Sequence, residues 1–294
     1  MKNAMKNLAP LLLVMLLVSL PLAAADPPGF ALWKAKDLKA FTKAQMLGDY
    51  GNHNARMNHR DKNGEIEVHE KWIDVMVIES GEAGLAIGGT QVNPKTTEPG
   101  ELRASSAAGA QAAKSLAPGD IVHIAEGVPH QFLVSPGKTI DYFALKVPAP
   151  KPAHAPGTMA NFALWKAGEL KMRDMALASQ LRPDHSARET LGEYGNHRAR
   201  LLYRVAEGAP EQHDKIVDVW IVQSGVGTLV VGGKMTGAKG GDGEGEFLGT
   251  GIEGGERHAI AAGDIVHIPA KNPHQVIAAA GQHVTYVNMR IPAE

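Results

Sequence analysis

EIEVHEKWIDVMVIESG (residues 65–81) decides how this chain reads. It holds Glu67 and His69 two positions apart, with Asp74 five residues further on. PEQHDKIVDVWIVQSG (residues 210–225) repeats the arrangement as Glu211, His213 and Asp218, each 144 positions later. His130 and His274 are separated by the same 144 positions. Two carboxylates and two imidazoles, written twice and without sulfur, are the nitrogen and oxygen donors that a borderline divalent cation takes.

Alternate residues of a strand share a face, so Glu67 and His69 point one way and Val68 the other. Asp74 has the wrong parity for one unbroken strand. A turn or bulge near residues 70–72 is therefore expected to return it on the neighbouring strand. The run Val75-Met76-Val77-Ile78 is apolar and largely β-branched, as a buried strand requires. His130 must arrive from a distant strand. A donor set divided in this way favours a closed barrel or sandwich with its site facing inward.

The rest of the chain keeps to the repeat. FALWKAKDLKAF (residues 30–41) recurs as FALWKAGEL (162–170), LGDYGNH (47–53) as LGEYGNH (191–197), and PGDIVHIAEGVPHQF (118–132) as AGDIVHIPAKNPHQV (262–276). Between the copies, VPAPKPAHAPGT (147–158) is too proline-rich for helix or sheet and reads as an extended tether. The expected division is a signal peptide at 1–25, a first barrel at 26–147, a linker at 148–160 and a second barrel at 161–294. After LGDYGNH the apolar parity falls on Ala55 and Met57, and in the second copy on Ala199, Leu201 and Tyr203. Arg56 and Arg60, or Arg198, Arg200 and Arg204, take the other face. Reading the apolar face as inward would put His53 and His197 beside the site, although a core histidine bonded to backbone is the commoner arrangement. His123 and His267, in the shared IVHI strings, read as structural. The second copy is longer within residues 171–190, which could form a short helix over one barrel mouth.

The net charge of −1 gives no reason to expect nucleic acid or an anionic membrane as partner. Lys2 and Lys6, an apolar run over residues 11–20 and Ala23-Ala24-Ala25 before Asp26 have the form of a cleavable signal peptide. That run is shorter than the ~20 residues a membrane span needs. The expected location is periplasmic or secreted, with no membrane contact after cleavage. The absence of cysteine excludes thiolate ligands, thiol nucleophiles and lipid attachment through cysteine.

At this point the chain resembles the cupin superfamily, and specifically a bicupin with two barrels in one chain. His69, Asp74 and Gly81 fall on the second histidine, the glutamate and the closing glycine of the first cupin motif, with Glu67 in the place of the first histidine. Gly119, Gly127 and His130 fall on the second motif, with Ala125 in the place of its proline. In the second copy His213, Asp218, Gly225, Gly263, Pro269 and His274 match, with Glu211 again in the first-histidine place and Lys271 where glycine is usual. The resemblance implies an all-β fold of two tandem double-stranded β-helix (jelly-roll) barrels. It also implies a divalent metal (Fe, Mn, Ni, Cu or Zn) at His69, Asp74 and His130 and at His213, Asp218 and His274, with Glu67 and Glu211 left as general bases.

Two functions stay open, with the balance towards an enzyme. One is metal-dependent oxygenase, isomerase or lyase chemistry on a small organic molecule, and the other is a non-catalytic module that binds a small molecule or metal. A homo-oligomer with silent sites is a third. The expected inward residues beyond the donors, Met76, Ile78, Trp220 and Val222, are apolar and suit a small organic ligand.

Overall fold

The computed structural model describes residues 25–150 and 162–293. The expected signal peptide, save its last residue, and most of the Pro-rich tether lie outside the described residues. Within them the chain is all-β, with helices only at Ala35–Leu38 and Ala167–Leu177.

Each half forms two facing sheets. In the first, one sheet runs in the order Phe162–Trp165, Ile121–Ile124, Trp72–Gly81, Ile140–Pro148, Asn54–Arg60, Gln45–Asp49. The other runs Lys114–Leu116, Ala83–Ile87, His130–Leu133, Ile66–His69, Glu101–Ala104, Lys95–Glu98. The second half repeats this, except that Ile216–Val231 runs unbroken through both sheets. The closing glycine of the motif marks the corner between sheets. Gly81 and Gly225 have φ of 74° and 73°, and a Cβ on either would lie 2.0 Å from the carbonyl oxygen of Thr139 or His283. Only glycine fits there.

One expectation is corrected. Asp74 does not return beside Glu67 and His69 on a neighbouring strand. Ile66–His69 pairs with Glu101–Ala104 and His130–Leu133, while Trp72–Gly81 pairs with Ile121–Ile124 and Ile140–Pro148. The turn at residues 70–71 crosses from one sheet to the other, and this crossing resets the parity. Asp74 faces the two histidines across the lumen.

The repeated FALW strings have a shared cause. Ala31–Trp33 pairs with Ile265–Ile268 of the second half, and Phe162–Trp165 pairs with Ile121–Ile124 of the first. Each half lends its leading strand to the other's barrel. Buried aspartates lock the exchange: Asp264 accepts from the backbone N–H of Ala35 (2.9 Å) and pairs with Lys34, and Asp120 accepts from that of Ala167 (3.0 Å) and pairs with Lys166.

Three apolar clusters result, one inside each barrel and one between them. The one between contains Ala55, Met57, Val75, Val77, Phe143 and Leu145 from the first half and Ala199, Leu201, Val219, Ile221, Val287 and Met289 from the second. The apolar face of Asn54–Arg60 is thus buried against the other barrel, and the polar face lines the lumen. This inverts the parity argument that put His53 and His197 beside the site. Residues 171–177 form the end of the Ala167–Leu177 helix, whose Leu170 and Leu177 also enter the cluster between barrels. Asp174 accepts from the hydroxyls of Ser224 and Thr285, each at 2.6 Å, so the helix is fastened along the outside of the second barrel and is not a cover over its mouth.

The misplaced histidines meet in this interface. The Nε2 atoms of His53 and His267 are 2.8 Å apart, as are those of His123 and His197, and Tyr50 and Tyr194 stack on His267 and His123 at 3.8 and 3.7 Å. Such a contact requires at least one of the two imidazoles to keep a lone pair. Burial lowers His53 and His267 from about 6.5 to about 4, with His53 adding to the effect on His267. The folded values lie below the unfolded one, so the unfolded chain takes up more protons between them. Stability is complete above pH 6.5 and falls as the pH drops towards 4. Thermal melts across that range should show a falling Tm, with a shallower slope in His53→Leu/His197→Leu. An equal slope in the variant would refute this role.

Candidate metal centre

Glu67 and His69 enter the first lumen from Ile66–His69, His130 from the adjacent strand, where it is the Cα partner of Glu67, and Asp74 from the facing sheet. One donor atom from each of Glu67, His69 and His130 lies within 4.8 Å of the others, and the same holds for Glu211, His213 and His274. Asp74 Oδ2 is 3.2 Å from His69 Nε2 and 3.5 Å from His130 Nε2, while Glu67 Oε2 is 3.7 and 3.9 Å from them. All four expected residues therefore converge.

The hydrogen bonds behind the imidazoles decide which nitrogen faces the centre. His69 Nδ1–H donates to Glu101 Oε2 at 2.5 Å, and His130 Nδ1–H donates to the Val128 carbonyl at 3.0 Å. With Nδ1 committed outward, each Nε2 faces the centre and is the nitrogen a metal would take. His69 Nε2 is buried without a hydrogen-bond partner. An orphaned ring nitrogen facing two carboxylates and a second imidazole fits a divalent cation held by His69, His130 and Glu67.

Three cations accompany this set. Arg60 donates to Glu67 Oε1 at 2.8 Å, Arg103 Nη1 donates to Glu101 Oε2 at 3.3 Å, and Lys146 Nζ lies 2.7 Å from Asp74 Oδ1. Burial would raise the Asp74 carboxyl, but Lys146 and His69 outweigh it and hold Asp74 well below the usual range. Burial likewise opposes ionisation of Glu67, which His130, Arg60 and Arg103 restore. His69 lies above its ordinary value because Asp74 and Glu101 overcome burial, whereas burial and the neighbouring His69 lower His130. Sequence reasoning missed Lys146 and Glu101. Lys146 had a signal, because Arg290 stands 144 residues later in a matching string, LKVP against MRIP. Glu101 had none, since its counterpart Glu246 lies 145 residues on, at the start of a strand where the two copies are out of register.

The second centre keeps the scaffold and changes the cation. Glu246 Oε2 is 2.7 Å from His213 Nδ1, His274 Nδ1–H donates to the Asn272 carbonyl at 3.0 Å, and Asp218 Oδ2 is 3.2 Å from both Nε2 atoms. The guanidinium of Arg290 lies among them. Its Nη2 donates to His213 Nε2 at 2.8 Å and to Glu211 Oε2 at 3.1 Å, and its Nε is 3.2 Å from Asp218 Oδ1. Burial lowers His213 while Asp218 and Glu211 pull it up, but an N–H aimed at Nε2 needs a lone pair there. The direct contact decides, and His213 is neutral at Nε2.

The first centre opens into a cavity of about 510 Å³ lined by Asn54, Arg56, Asn58, Arg60 and Arg103 as well as Met76 and Phe132. This lining is far more polar than the apolar set expected from the sequence, because the polar face of Asn54–Arg60 faces the lumen. Arg56 Nε is buried there without a hydrogen-bond partner.

No protein-family model matches the chain, and no curated protein matches it. Among solved structures, salicylate 1,2-dioxygenase from Pseudaminobacter salicylatoxidans superposes with a TM-score of 0.58 at 10% identity, covering 94% of this chain and 86% of that one. A mutant of that enzyme in complex with gentisate gives 0.56 at 10% identity, over 92% and 84%. At this identity the likeness is one of fold, and the fold is that of a bicupin, two cupin barrels in one chain.

Replacing Glu101 by Ala frees His69 Nδ1 and is expected to weaken metal affinity by about 10–100-fold, the usual cost of losing such a partner. Titration of the chelator-stripped protein with Co(II) measures it. Unchanged affinity would mean that Glu101 does not position His69.

Proposed function

We propose that this bicupin is an exported metal-dependent enzyme whose first barrel acts on a small organic anion, with oxygenase chemistry on an aromatic carboxylate as the leading form. The observation that carries the reading is the union of two Nδ1-anchored histidines and a glutamate with a cavity whose wall offers an unpaired arginine. Two imidazoles and one carboxylate are the donor types of non-haem Fe(II) oxygenases, and such an ion would supply Lewis-acid and dioxygen chemistry at its remaining positions.

The other residues have separable tasks. Glu101 and the Val128 carbonyl orient the imidazoles. Arg60 engages the outer oxygen of Glu67 and leaves Oε2 towards the histidines, so Glu67 serves as a ligand. A carboxylate held ionised by a guanidinium would make a weak general base. Lys146 keeps Asp74 ionised beside both imidazoles, where its charge offsets the positive charge gathered in the lumen. Arg56 is placed to bind the substrate carboxylate, because a guanidinium pairs with a carboxylate through two parallel hydrogen bonds. Salicylate and gentisate, named for the fold neighbours, are small aromatic carboxylates of the kind this wall would take. The amino-terminal segment supports a periplasmic or secreted location.

The test uses protein purified without a metal-chelating resin, supplied with Fe(II), Mn(II) or Zn(II) and offered a panel of small carboxylates. Metal should be retained and lost in His69→Ala and His130→Ala. Arg56→Ala should keep its metal but weaken carboxylate binding by roughly 10–150-fold, corresponding to the ~1.5–3 kcal/mol of a charge-assisted hydrogen bond. Tight carboxylate binding with no oxygen uptake or product for any metal would favour the non-catalytic module. Failure of the protein to retain any metal would remove the reading.

A further inference from the structure

We propose that Arg290 is a built-in cation that occupies the second barrel's metal position, so that each chain binds one divalent ion, in the first barrel, and that shortening this side chain opens a second metal site at Glu211, His213 and His274.

The comparison between the halves carries the argument. Lys146 and Arg290 are equivalent, each the Cα partner of the lumen aspartate on the adjacent strand, Lys146 with Asp74 and Arg290 with Asp218. Their reach differs. Lys146 is a single point charge and engages Asp74 Oδ1 alone. Arg290 is a planar fork and spreads over four side chains, with Nε to Asp218 Oδ1 (3.2 Å), Nη1 to Glu246 Oε2 (3.2 Å), and Nη2 to Glu211 Oε2 (3.1 Å) and His213 Nε2 (2.8 Å).

These contacts use the atoms a metal would need. Glu211 Oε2 is the oxygen turned towards the imidazole, 3.5 Å from His213 Nε2. In the first barrel the corresponding oxygen, Glu67 Oε2, is spared, because Arg60 takes Oε1 from the other side. Arg204, the counterpart of Arg60, is turned to the Asp184 carbonyl (3.3 Å), so the charge on Glu211 is met from within the lumen by Arg290. An ion about 2.0–2.2 Å from His213 Nε2 and Glu211 Oε2 would press against a guanidinium already bonded to both. Like charges so close in a buried site exclude each other. As it stands the second centre does not fit a metal, although the imidazoles, Glu211 and the partner Glu246 are all in place for one.

The experiment counts metal. Full-length protein, Arg290→Lys and Lys146→Arg are stripped with chelator, titrated with Co(II) by calorimetry and read for Co(II) absorption and metal per chain. Arg290→Lys copies the first barrel's own arrangement, which keeps Asp218 paired and the fold intact, and the melting curve verifies this. The expected counts are one ion for the wild type, lost in His69→Ala and kept in His213→Ala, and two for Arg290→Lys, the second lost in His213→Ala. Lys146→Arg should lower the count to zero. The change from one to two rests on the first-barrel reading, and the two can fail separately. A wild type that binds no ion while Arg290→Lys binds one would sink the first-barrel site and sustain the role of Arg290. Two ions in the wild type, or no gain in a folded Arg290→Lys, would overturn the proposal.

Discussion

The exchanged leading strands are the constraint on which the other features depend. Ile121–Ile124 is paired on one edge with Trp72–Gly81, which carries Asp74, and on the other with Phe162–Trp165 from the second half. The register places Ile124 opposite Asp74 on one side and opposite Phe162 on the other. The strand that positions the lumen aspartate is thus itself held by a strand from the other barrel, and the reverse holds for Ile265–Ile268. An unpaired edge at either place would expose a row of backbone groups. The buried aspartates 120 and 264 prevent this by fastening the start of each borrowed segment.

Once each barrel is completed by the other, the outward faces of their central strands must be covered, and they cover each other. This explains why the apolar residues of Asn54–Arg60 look away from the site and the arginines look into it. The interface also accepts four histidines, because two of them joined at Nε2 satisfy one another's polar atoms in a place water does not reach.

Inside each lumen the controlling term is electrostatic. Buried carboxylates are costly unless cations neutralise them. The first barrel divides the work: Arg60 serves Glu67, Lys146 serves Asp74, Arg103 serves Glu101, and the inner oxygens and the two Nε2 atoms stay turned to a common point. The second barrel gives all three carboxylates to Arg290. One scaffold therefore supports either an open donor set or a closed ion cluster, depending on whether a lysine or an arginine stands at a single position.

Strand parity and the constant offset of 144 make the all-β class, the duplication and the shared face of Glu67 and His69 legible in the string, and the repeat marks Asp74 and His130 as members of the same set. Which face of Asn54–Arg60 meets the lumen follows from the packing of one barrel on the other, since an apolar face signals burial without saying against what. That Asp74 comes from the facing sheet is a consequence of a two-residue crossing that parity cannot distinguish from a hairpin. The partners of the donors were the least legible. Glu101 reaches His69 from the paired strand, where the repeat has slipped by one residue, and the difference between Lys146 and Arg290, visible as letters, gains meaning only from side-chain reach. A guanidinium at that distance spans Asp218, Glu211 and His213 together, whereas an ammonium engages one carboxylate oxygen.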